Sequence, residues 1–112
     1  KDVVLTAAHC YGAPGDVVIG RHDLDARGGE TIGMKDQVQH PDYNDRSSDN
    51  DFMLVFLDRA TAQDVALATL NADASYPDVG DTATVVGWGD TDIRDEVFTM
   101  ADVLLEVDVQ VM

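Results

Sequence analysis

No stretch of this sequence sustains the 3.6-residue apolar repeat of an amphipathic helix, and this limits most what the chain can become. Short valine-rich segments alternate instead with turn-forming Gly, Asp and Asn. "DVVLTA" reads as a strand running into a turn, and "GDVVIGRHDL" as a second strand opened by Gly15 and Asp16. "GGETIGMKDQVQHPDY" reads as one longer strand, entered through Gly28-Gly29 and closed by His40-Pro41. Phe52 to Leu57 forms a strongly apolar strand, "GDTATVVGWGD" alternates before Gly87-Trp88-Gly89, and "VLLEVDVQV" alternates with period two from Leu105. Only "ATAQDVALATL" is compatible with a short helix. Short strands joined by such turns predict an all-β sandwich or barrel.

The segment Asp58 to Asp81 is rich in Ala and Asp, contains Pro77, and reads as a connector between two β units. There is no uninterrupted run of apolar residues long enough to span a bilayer as a helix. The first residue is Lys and a strand begins at Val3, so the sequence reads as a piece of a longer chain. With 22 acidic and 7 basic residues the net charge is −15, which argues against nucleic acid and anionic membrane as partners. Cys10 is the only cysteine. It is a buried reduced thiol, a reactive thiol, or half of a bridge to a cysteine elsewhere, and composition favours the first.

Two polar residues stand at strand ends. His9 follows two small residues, Ala7 and Ala8, that allow close backbone packing at a strand-to-turn junction. Such a junction can fix an imidazole in space, as a general base requires. Asp51 immediately precedes six apolar residues. A carboxylate there can simply begin a strand, or it can accept a hydrogen bond from an imidazole and set its tautomer.

"LTAAHC", "HPDYN", "NDFMLVFL" and "VVGWGDT" occur here in the order, and at about the spacing, of the trypsin/chymotrypsin-like serine endopeptidases. The chain resembles that family over nearly its whole length. The resemblance implies a trypsin-like double β-barrel, incomplete in this chain. Residues 1–58 would form the N-terminal barrel without its opening strands, 59–81 the inter-barrel connector, and 82–112 the first strands of the C-terminal barrel. It implies that His9 is the catalytic base and Asp51 the carboxylate that orients it. It makes Cys10 half of a bridge across the histidine loop, with the partner cysteine upstream of residue 1. Trp88 and its flanking glycines resemble the start of the second barrel.

The resemblance is partial in one respect. Ser47, Ser48 and Ser75 are the only serines, and none lies in the Gly-Asp-Ser-Gly-Gly context of the family's nucleophile. The nucleophile, oxyanion donors and specificity pocket are therefore expected beyond Met112. No cofactor or metal is expected. "DRSSDND" fails as a calcium loop because Asn50 and Phe56 stand at its Gly and Glu positions. In "GRHDLDARGGE" Arg21 replaces the first acidic ligand of a loop that binds calcium in some family members; Asp23, Asp25 and Glu30 could still collect a cation weakly, but the favoured reading is a solvated acidic loop. His22 and His40 read as surface or turn residues.

The full-length protein is thus expected to be a secreted serine endopeptidase. Its expected partners are polypeptide substrates, protein protease inhibitors and the missing C-terminal half of its own chain. This chain alone is expected to be inactive. The alternative reading is a non-catalytic serine protease homologue that acts by binding, and a third is a complete acidic β binding domain.

Overall fold

The computed structural model describes residues 1–91 and 99–112. Among them the regular structure is seven β-strands and one 3₁₀ turn, as the punctuated valine-rich pattern predicts. The strands are β1 (Val3–Thr6), β2 (Val17–Ile19), β3 (Glu30–Ile32), β4 (Met34–Gln39), β5 (Met53–Leu57), β6 (Thr82–Gly87) and β7 (Leu105–Gln110). The 3₁₀ turn spans Ala8–Cys10.

The described residues form two compact units. The first contains Lys1–Arg21 and Gly29–Val65. Its main sheet is antiparallel with order β1-β5-β4, and β2 pairs with β3 beside it. Alternation along β5 decides the core. Met53, Val55 and Leu57 point inward and are nearly inaccessible, joined by Ala8 and Ile32. Phe52, Leu54 and Phe56 are exposed on the opposite side.

The expected long strand between Gly28 and His40 is two strands, parted at Gly33. Here the chain leaves its pairing with β2 and enters its pairing with β5. The Gly33 carbonyl accepts the Asp58 amide at 3.0 Å. A Cβ on Gly33 would meet the carboxylate end of the exposed Asp58 side chain, which would have to swing aside.

The expected short helix within residues 60–70 is also absent. Residues 61 and 62 are instead tied to distant parts of the chain. Thr61 N–H donates to the Lys1 carbonyl at 2.9 Å, and Ala62 N–H to Glu30 Oε2 at 2.8 Å. Further on, Leu67 and Leu70 are exposed, so no apolar face is buried to stabilise a helix.

The second unit contains His22–Gly28 and Ala66–Met112. Its centre is the antiparallel pair β6–β7, in register from Thr82↔Gln110 to Gly87↔Leu105. Trp88 is anchored by its indole N–H, which donates to the His22 carbonyl at 3.0 Å. The Leu24 amide donates to the Asp102 carbonyl and the Leu104 amide to the His22 carbonyl, both at 2.8 Å. None of this unit's described residues is buried.

Candidate active site

Antiparallel pairing brings His9 to Asp51. The β1–β5 register sets Thr6 opposite Met53, so the end of β1 lies beside the beginning of β5. His9 stands three residues beyond Thr6, and Asp51 two before Met53. The 3₁₀ turn then lifts the imidazole back toward β5. It is closed by Cys10 N–H to the Ala7 carbonyl at 3.2 Å and Tyr11 N–H to the Ala8 carbonyl at 3.0 Å. Ala8 is fully buried at this junction, where a larger side chain would displace the turn.

Asp51 holds His9 at two points. Its Oδ2 lies 2.7 Å from Nδ1 of the ring, and its Oδ1 accepts the His9 backbone N–H at 2.9 Å. The carboxylate is 22% exposed and the imidazole 63% exposed. The ring hydrogen bond, and then the backbone one, hold the Asp51 carboxyl below the usual carboxylate range. With Nδ1 facing a carboxylate, the neutral ring carries its proton there, and Nε2 is left as the basic nitrogen. Nε2 makes no hydrogen bond to any described residue.

The loop before Asp51 is folded by its own turns. Asn44 N–H donates to the Asp49 carbonyl at 3.0 Å, and Asn50 Nδ2 to the Asp42 carbonyl at 3.1 Å. Ser48 and Asn50 both adopt positive φ, 57° and 55°. His40 belongs to this turn structure. Its Nδ1 accepts the Asp42 amide at 3.2 Å, and its ring lies 4.5 Å from that of Phe52. Tyr43 packs against the core, where burial first, and the Asp51 carboxylate second, push its phenol up.

The serines do not complete the site. The Ser47 hydroxyl donates to Asp49 Oδ2 at 2.7 Å, and the Ser75 hydroxyl to Asp73 Oδ1 at 2.7 Å. None of the three serines is hydrogen-bonded to His9.

Among the described residues no cluster of three His, Cys, Asp or Glu side chains is disposed to hold a metal ion. Asp23 Oδ1 caps its own loop, accepting the Asp25 and Ala26 amides at 2.8 and 3.2 Å. Glu30 departs from the solvated loop expected of it. Its side chain is 14% exposed and pairs with Arg59. It also accepts the Thr61 hydroxyl at 2.6 Å. Sequence reading missed this carboxylate because its partners lie about thirty residues away. It also missed Gln37 and Gln39, whose amides reach the turn that carries His9.

The sequence model of the Trypsin family matches residues 1–112, the whole chain. The chain belongs to the trypsin family. Its all-β architecture is that of a trypsin-like fold, of which the chain holds part. This trypsin-family chain is 36% identical over 115 residues to mast cell protease 3 of Ovis aries, covering 99% of itself and 45% of that protein. It is 36% identical over 111 residues to granzyme H of Homo sapiens, covering 96% of itself and 45% of that protein. With trypsin I-P1 of Gallus gallus it shares 34% identity over 90 residues, 79% of itself and 36% of that protein. The chain therefore spans less than half the length of these curated relatives.

Proposed function

We propose that this chain supplies the general base and its orienting carboxylate, His9 and Asp51, to a serine endopeptidase. The observation that carries the reading is the doubly held histidine. Asp51 accepts from both the ring and the backbone of His9, while Nε2 remains uncommitted on an exposed ring. Membership of the trypsin family supports the reaction class.

In this reading the serine lies in a part of the protein outside these 112 residues. Residues 1–58 belong to an N-terminal barrel, 59–81 to the connector and 82–112 to a C-terminal barrel. His9 Nε2 takes the serine hydroxyl proton as the oxygen attacks the scissile carbonyl. The imidazolium is stabilised by Asp51, which stays ionised. Nε2 then returns the proton to the leaving amine, and an acyl-enzyme remains. Water, deprotonated by the same nitrogen, hydrolyses it. Polypeptides are the substrates, and inhibitors that mimic them would occupy the same site. Secretion would suit a Cys10 that pairs with a cysteine outside the chain.

The test is covalent labelling. A full-length protein containing these residues should react stoichiometrically with a serine-directed phosphonate and cleave a peptide substrate. A full-length protein that binds peptides without cleaving them, and resists the phosphonate, would contradict the proposal in favour of a non-catalytic homologue.

A further inference from the structure

Two glutamines stand on a face of β4 that would ordinarily be apolar. Gln37 and Gln39 are opposite Val55 and Met53 in the β4–β5 register, so they share the face that buries those side chains. An amide is tolerated there only when its donors and acceptors are met. The backbone of the His9 turn meets both. Gln37 Oε1 accepts the Gly12 amide at 2.8 Å, and Gln39 Nε2 donates to the Ala8 carbonyl at 2.8 Å.

The second contact has a particular consequence. The Ala8 carbonyl and the His9 N–H are the two ends of one planar peptide unit. The N–H end donates to Asp51 Oδ1 at 2.9 Å. Gln39, peptide 8–9 and Asp51 therefore form one chain of hydrogen bonds with every donor pointing the same way. In such a chain each bond polarises the next. Donation into the Ala8 carbonyl makes the His9 N–H a stronger donor to the carboxylate. That bond to Oδ1 fixes the plane of the carboxylate, and so directs Oδ2 at ring Nδ1. A carboxylate held only by the ring could rotate away when the ring changes charge.

We infer that Gln39 is a positioning residue for the His9–Asp51 pair, acting through peptide 8–9. It touches neither substrate nor reacting atoms. Gln37 anchors the far end of the same turn at Gly12, whose φ is 77°. The inference rests on the reading of His9 as the general base.

The experiment uses the full-length protein, with rates normalised to phosphonate-titrated active sites. Gln39→Met keeps the length of the side chain and removes the donor. It should lower kcat about 3- to 10-fold, the worth of one net hydrogen bond, with KM within about twofold. Gln39→Lys, which keeps a long donor, should recover most of that loss. The backbone amide proton of His9 should shift upfield in the Met variant, because its bond to Asp51 weakens. Unchanged kcat per titrated site in Gln39→Met, or equal losses in the Met and Lys variants, would overturn the inference. Should Gln39→Met not fold, Gln39→Glu takes its place, since an ionised carboxylate cannot donate, and it must show the same loss in kcat. Failure of the underlying reading is separable. It would show as undiminished turnover in His9→Ala, whereas loss of turnover in His9→Ala beside a harmless Gln39→Met defeats this inference alone.

Discussion

At the residue scale, three described carboxylates, Glu30, Asp51 and Asp73, are held in their charged form by hydrogen bonds, and the first two differ in what they face. Asp51 faces an exposed imidazole, whereas Glu30 is turned into the protein against Arg59, Thr61, Ala62 and Gln63. The Thr61 hydroxyl, and then Arg59, bring the Glu30 carboxyl from 4.5 down to about 2. A folded-state pKa below the unfolded one adds stability above the unfolded value, and this is lost as pH falls through the folded value. The window for Glu30 is therefore about pH 4.5 down to about pH 2. Glu30→Gln should lower Tm at neutral pH, and the gap from wild type should close across that window. A gap that stays constant with pH would contradict the assigned role. The pairing of His9 with Asp51 was legible in sequence because their neighbours, "LTAAHC" and "NDFML", are short and local. Glu30, Gln37 and Gln39 were not, because each acts through a partner distant in the chain. Nothing in "DQVQ" shows that its glutamines face inward while Val38 faces out.

At the element scale, β5 carries both the core and the site. Met53 is 2% exposed and follows Asp51 by two residues, while neighbouring Leu54 is 39% exposed. Met53→Ala should destabilise the protein by about 2–5 kcal/mol in chemical denaturation, and Leu54→Ala by clearly less. Equal costs would contradict the inward–outward alternation. The corner at Gly33 makes a second prediction. Gly33→Ala should cost no more than about 1 kcal/mol, because its Cβ meets only the carboxylate end of the exposed Asp58 side chain, which can swing into solvent. Asp58→Ala in the same protein should recover part of that cost, and strict additivity of the two changes would show that the contact is not responsible. Strand existence was legible from valine-rich alternation. The break at Gly33 was not, because the sequence does not disclose that β3 and β4 pair with different strands. Residues 60–70 misled because Leu67 and Leu70 stay exposed, so the apolar run buries no face that would stabilise a helix.

At the scale of the whole molecule, the buried side chains among the described residues all belong to the first unit. In β7 every residue is exposed, including Leu105, Val107 and Val109. The isolated 112-residue chain should therefore show its strongest hydrogen-exchange protection in β5 and weak protection from Val103 to Val111. Exposed edges and apolar faces should also make it self-associate. A monodisperse monomer with a sharp thermal transition and protected amides from Val103 to Val111 would contradict this. The all-β class was legible at this scale from turn spacing alone, and the sequence context of Ser47, Ser48 and Ser75 already set them apart from a nucleophile; none is hydrogen-bonded to His9. The central claim is that His9, held by Asp51, is the general base of a serine endopeptidase. Its most direct test is the acylation rate of the full-length protein by a peptide ester, measured in a single turnover for wild type and His9→Ala. The predicted result is a loss of about 10²–10⁴-fold in that rate, the usual worth of a positioned base. Acylation at the wild-type rate with alanine at position 9 would contradict it.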